Sequence, residues 1–82
     1  MATESMKGKI NEGATHEDMA KHAETVGAGG KGSAMNCDHA QCKQRGWIIN
    51  GCYWCGVDNC VNPGWAMAGC WKCGKWFVVN RG

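Results

Sequence analysis

Gly51-Cys52-Tyr53-Trp54-Cys55-Gly56 and Gly69-Cys70-Trp71-Lys72-Cys73-Gly74 are two copies of one Cys-x2-Cys-Gly element, set 18 residues apart. Two residues between the thiols let a tight turn aim both sulfurs at one cation. The glycine after the second Cys takes a backbone conformation that a side chain would obstruct. The copying extends outward from these elements. Gly46-Trp47 recurs as Gly64-Trp65 and Tyr53 as Trp71; a truncated third copy runs on from Cys73, with Asn80 for Asn62 but Val78 where Cys60 stands. The complete cysteine spacing, C-x4-C-x9-C-x2-C, is met at Cys37, Cys42, Cys52 and Cys55, and again at Cys55, Cys60, Cys70 and Cys73.

Size gives these thiols their importance. A chain of 82 residues is one small domain, and segments near half that length bury too little apolar surface to fold without disulfides, a metal or a partner. Seven cysteines cannot all pair within the chain, which favours metal. The start, Met1 to Lys9, carries no apolar signal run, and no stretch is long and apolar enough to span a membrane. A reducing cytoplasmic setting is therefore the expectation. Export by another route would bring back a disulfide-rich reading.

The chain divides near residue 36. Residues 1–36 hold no cysteine and no aromatic residue, and most of the acidic ones. Thr15-His16-Glu17-Asp18 reads as a helix start, with a hydroxyl N-cap and acids in the electropositive first turn. The helix is expected from His16 to about Val26, with Ala14, Met19, Ala23 and Val26 as a thin apolar stripe. His16 and His22 are read as surface residues. Gly27 to Ser33 reads as a flexible linker, so the whole segment is expected to be a separable tail.

Residues 37–82 carry all the cysteines, all five tryptophans, Tyr53 and Phe77. Glycines divide this part into short stretches such as Trp47-Ile48-Ile49-Asn50 and Lys75-Trp76-Phe77-Val78-Val79, whose lengths suit strands and turns, not helices. Asn62-Pro63-Gly64 reads as a type II turn with a positive φ at the glycine. The expected fold is small and metal-stabilised, mostly irregular with short β-hairpins, behind a short N-terminal helix and a flexible tail.

Residues 51–74 resemble the paired knuckles of zinc-ribbon and rubredoxin-like domains. That resemblance implies a tetrahedral site made by Cys52, Cys55, Cys70 and Cys73. The sequence departs from the common pattern in having Tyr53 and Trp71 where a proline often follows the first Cys, and its 14 residues between knuckles suit a ribbon better than rubredoxin.

Cys37, Cys42 and Cys60 remain, with His39 as a fourth donor, and together they make a second expected zinc site. A repeat-based partition, with Cys37, Cys42, Cys52 and Cys55 at one ion, stays open, as does a solvated His39. Zinc, two ions, is the expected cofactor; iron or an iron–sulfur cluster is the alternative.

The functional expectation is a non-enzymatic zinc protein acting as an accessory subunit or interaction module. A catalytic zinc needs an open position with a base nearby, and residues 37–82 contain no Glu. Trp47, Trp65, Trp71 and Trp76 are candidate anchors for a protein partner. Nucleic acid is the weaker candidate, since Lys43, Arg45, Lys72, Lys75 and Arg81 against Asp38 and Asp58 make only a mild basic excess. A membrane partner is not expected. Two other readings are an iron electron carrier and a modified-peptide precursor with residues 1–36 as leader.

Overall fold

The structure, a computed structural model, describes residues 5–36 and 38–81. In chain order these form β1 (Ser5–Lys7), α1 (His16–Thr25), a 3-10 turn (Ala28–Gly30), β2 (Lys31–Ser33), α2 (His39–Gln44), β3 (Ile48–Gly51), β4 (Asp58–Val61), β5 (Met67–Gly69) and β6 (Trp76–Val78). The strands make two three-stranded sheets, ordered β1-β3-β4 and β2-β5-β6.

The sequence repeat is a structural one: strand, knuckle, strand, used twice. In the first unit Ile49 pairs with Cys60 and Gly51 with Asp58; in the second, Met67 pairs with Val78 and Gly69 with Trp76, the same register moved along by the repeat. The N-terminal strands obey this duplication too. β1 lies parallel to β3 with Ser5 beside Ile49, and β2 lies parallel to β5 with Lys31 beside Met67. Each then crosses to the opposite unit, Lys9 bridging Val78 and Met35 bridging Cys60. Residues 1–36 are therefore not a separable tail as far as they are described, and the Gly-rich stretch is no linker. Ser-Met-Lys and Lys-Gly-Ser have no apolar alternation to betray a strand, and backbone hydrogen bonds hold them in place. The glycines serve close approach: a Cβ on Gly8 would run into the Phe77 ring, and one on Gly32 into the Trp65 ring.

α1 begins where the Thr15 motif placed it. The Thr15 hydroxyl accepts from the Asp18 amide at 3.2 Å and the Asp18 carboxylate accepts from the Thr15 amide at 3.0 Å, a complete capping box. These two bonds from Thr15 hold the Asp18 carboxyl below its ordinary range. Met19 and Ala23 are buried in a cluster with Met67, against which Trp76 and Val78 pack. His16 and His22 are exposed, as read from the sequence.

α2 overturns the expectation that residues 37–82 hold no helix. Asp38 caps it, its Oδ1 accepting from the Ala40 amide at 2.7 Å, and Gly46 follows with a φ of 74°. Asp38 before and Gly46 after were the readable signals. Cys42 stands four residues after its N-cap, as Met19 stands four after Thr15. Met19 meets its sheet through apolar packing; Cys42 is bonded as a disulfide to Cys60, whose counterpart in the second unit is Val78.

The Asn62-Pro63-Gly64 turn forms, but not as type II, because Gly64 has no positive φ. The Asn62 side chain accepts from the Gly64 amide at 2.8 Å, and its carbonyl accepts from Trp65 at 3.0 Å. An Asx turn does the work assigned to glycine. Between the sheets lies the central core, with Cys52, Val61, Ala68, Cys70, Phe77 and Val79 buried together.

Candidate metal centre

Each knuckle is built by the same backbone bonds. The Cys52 amide donates to the Val57 carbonyl at 2.8 Å and that of Gly56 to the Cys52 carbonyl at 3.0 Å; Cys70 with Lys75, and Gly74 with Cys70, repeat both at 3.0 Å. Gly56 and Gly74 take φ values of 83° and 74°, the left-handed conformation foreseen for them. The amides of Trp54 and Cys55 then point at Cys52 Sγ, at 3.3 and 3.4 Å, and those of Lys72 and Cys73 at Cys70 Sγ, at 3.3 and 3.5 Å. Donors converging on sulfur favour its ionised form.

The knuckles face one another across the molecule. Cys52 Sγ lies 3.6 Å from Cys73 Sγ, and Cys55 Sγ lies 3.5 Å from Cys70 Sγ. Exchanging the two units turns one pair into the other. All four sulfurs fall within 4.8 Å of one another. A tetrahedral zinc with bonds of about 2.3 Å separates its sulfurs by about 3.8 Å, so the cluster fits such an ion with little adjustment. The resemblance to zinc-ribbon-like knuckles therefore holds at the level of the four-cysteine cluster.

Exposure divides the ligands into two inner and two outer ones. Cys52 and Cys70 are buried, whereas Cys55 and Cys73 are exposed. Burial pushes the Cys52 thiol up, to about 12. At Cys70 burial acts in the same direction but is outweighed by the amides of Cys73 and Lys72 and by the Cys55 and Cys73 thiols, leaving it near 7. Burial raises Cys73 as well. Four thiols this close cannot all ionise without a cation among them, and a divalent metal removes the conflict.

The expected second site is not assembled. Cys42 and Cys60 are joined as a disulfide, with a Cα–Cα distance of 5.7 Å and both side chains fully buried. His39 is the first residue of α2, exposed, with Nε2 3.1 Å from Asp58 Oδ2. Cys37 lies outside the described residues. Cys42 is held in the core beneath α2, away from Cys52 and Cys55, so the repeat-based partition does not form either. The odd cysteine count resolves into four clustered thiols, one disulfide and Cys37.

The aromatic residues are also sorted. Trp47 and Trp65, equivalent positions, pack edge to face with centroids 5.1 Å apart. Trp54 sends its indole N–H to the Trp76 carbonyl at 2.9 Å, and Trp71 sends its own to the Asp58 carbonyl at 2.8 Å, each knuckle thus gripping the other unit. Of the four tryptophans expected to anchor a partner, only Trp71 is exposed; Tyr53, its counterpart in the first knuckle, is the other exposed large ring among the described residues.

Sequence reasoning missed two asparagines. Asn59, fully buried, accepts from the Trp71 amide at 3.1 Å and so holds the second knuckle from the first unit. Asn50, equally buried, exchanges two hydrogen bonds with the Asn80 backbone, at 2.7 and 3.0 Å. Their only signal was polarity at strand positions that alternate inward. Comparison of the chain with protein-family models, with curated proteins and with solved structures finds no match.

Proposed function

We propose that this chain is a zinc-binding protein without catalytic activity, in which one ion held by Cys52, Cys55, Cys70 and Cys73 locks two repeat units together and so displays a surface to another macromolecule. The observation that carries this reading is the four-sulfur cluster with amide donors converging on its two inner members. Four thiolates leave no open coordination position, which suits a structural ion rather than a hydrolytic one. Zinc is favoured over iron because the ligands come as two separated pairs and close a tetrahedron.

Native mass spectrometry with elemental analysis tests this directly. The purified chain is expected to be colourless, with one zinc per chain, and Cys70→Ser to lose the ion together with its dispersed amide resonances. A red protein containing iron would replace this reading with electron transfer. A Cys70→Ser variant that kept its full metal content would remove the site.

A further inference from the structure

The fold rearranges the charges of the chain in a way the sequence order conceals. β1 and β2 carry Lys7 and Lys31 onto the sheets, and Lys9 follows β1 onto β6. Eight of the nine cationic side chains consequently belong to the sheets, knuckles and α2, with Asp38 and Asp58 as the acidic residues there; four of the seven carboxylates go to α1 and the loop before it. The sheet body holds six positive charges in excess, and a zinc with four thiolates takes back only two of them.

At the metal end this charge is interleaved with rings. Lys7 Nζ lies 4.9 Å from the centroid of Tyr53, and Lys75 Nζ 6.0 Å from that of Trp54. Tyr53 and Trp71 occupy the same position in the two knuckles, each adjacent to an inner ligand, and are 38% and 40% exposed. Neither is a loose side chain. Tyr53 packs edge to face on Trp54 at 4.9 Å, and the Trp71 indole is held by the Asp58 carbonyl. Exposed rings fixed in this way cost little further ordering when something flat stacks on them.

We propose that the knuckle end of the molecule binds single-stranded nucleic acid, with bases stacking on Tyr53 and Trp71 and phosphates meeting Lys7, Lys72 and Lys75. This rests on the zinc-bound fold proposed above, since the ion fixes the two rings relative to each other. A single strand alternates anionic phosphate with an aromatic face along its length, and this surface alternates ammonium with an aromatic face in the same manner. An acidic protein segment would answer the charge but leave both rings without a matching partner.

The test uses the zinc-loaded full chain and fluorescein-labelled dT12, by anisotropy, at low and moderate salt. The wild type is expected to bind, with affinity falling as salt rises. Tyr53→Ala and Trp71→Ala should each weaken binding about tenfold or more. Trp71→Phe, which keeps a stacking face but loses the indole N–H, should recover most of it. The Lys7→Gln/Lys72→Gln/Lys75→Gln variant should keep its zinc and reduce the log–log salt slope by about 2. No binding by a zinc-loaded wild type, indifference to both ring variants, or stronger binding of poly-glutamate than of dT12 would each overturn the proposal. Zinc measured on the same samples separates its failure from failure of the metal reading: protein without zinc sinks the latter, zinc-loaded protein that ignores dT12 sinks only the former.

Discussion

At the level of single residues, the cysteines divide into two chemistries for a reason visible in their neighbours. Cys52 and Cys70 each receive two amide donors at the tip of a tight turn, an arrangement suited to thiolate. Cys42 lies on a helix face with only Ile49, Cys60, Met35 and Trp47 around it. Its position in the other half of the molecule is filled by Met19, and that of Cys60 by Val78. The disulfide therefore occupies a place where ordinary apolar packing also suffices. The variant Cys42→Met/Cys60→Val is expected to fold and keep one metal per chain, losing no more than about 3 kcal/mol in chemical denaturation; loss of the ion would contradict this. The inner ligands make a second prediction. With Cys52 near 12 and Cys73 raised, their thiols are protonated at neutral pH in the metal-free protein, while Cys70, near 7, is partly ionised. Metal uptake must displace the remaining protons, so affinity should climb as pH rises above 7 and fall on acidification. Calorimetry in buffers of different ionisation heat reads that proton release.

Elements show where local signals suffice and where they fail. α1 was legible because Thr15 and Asp18 sit at capping-box spacing and Met19 and Ala23 share a face. Thr15→Ala removes both halves of the box and should lower stability by about 1 kcal/mol, measured in urea. β3 and β6 were legible from β-branched and aromatic runs between glycines, and both knuckles from Cys-x2-Cys-Gly. β1 and β2 were not, because a three-residue strand held by backbone bonds needs no particular side chains. α2 was hidden by competition: Cys37, His39 and Cys42 looked like ligands, and that reading obscured Asp38 as a cap. The second metal site failed through the same choice, since spacing does not tell a thiol that meets a cation from one that meets another thiol. Truncation through Lys9 distinguishes strand from tail. It removes the β1 bonds, the Lys9–Val78 bridge and the Lys7 carbonyl that accepts from the Asn80 side chain at 2.9 Å. A loss of more than about 2 kcal/mol is expected, and an unchanged unfolding midpoint would restore the tail.

For the molecule as a whole, the ion stands where the two units meet, and each unit contributes one inner and one outer ligand. Removing it takes away the attachment between units while leaving the Cys42–Cys60 bond intact. A strong chelator is therefore expected to abolish the dispersed spectrum of the core without fully extending the chain. The crossing of the N-terminal strands has a further consequence, one of timing during synthesis. Ser5 finds its neighbour only at Ile49, Lys31 at Met67, and Lys9 at Val78. A polypeptide emerging from the ribosome residue by residue can form α1 early, yet its sheets wait for partners more than 30 residues downstream, and its metal waits for Cys73. Nearly the whole nascent chain must be exposed before any of its tertiary structure can close. Until then all of its thiols are open to whatever oxidant or cation the compartment holds, so the order in which Cys42, Cys52, Cys55 and Cys60 emerge makes zinc supply at the moment of release a determinant of which sulfurs pair.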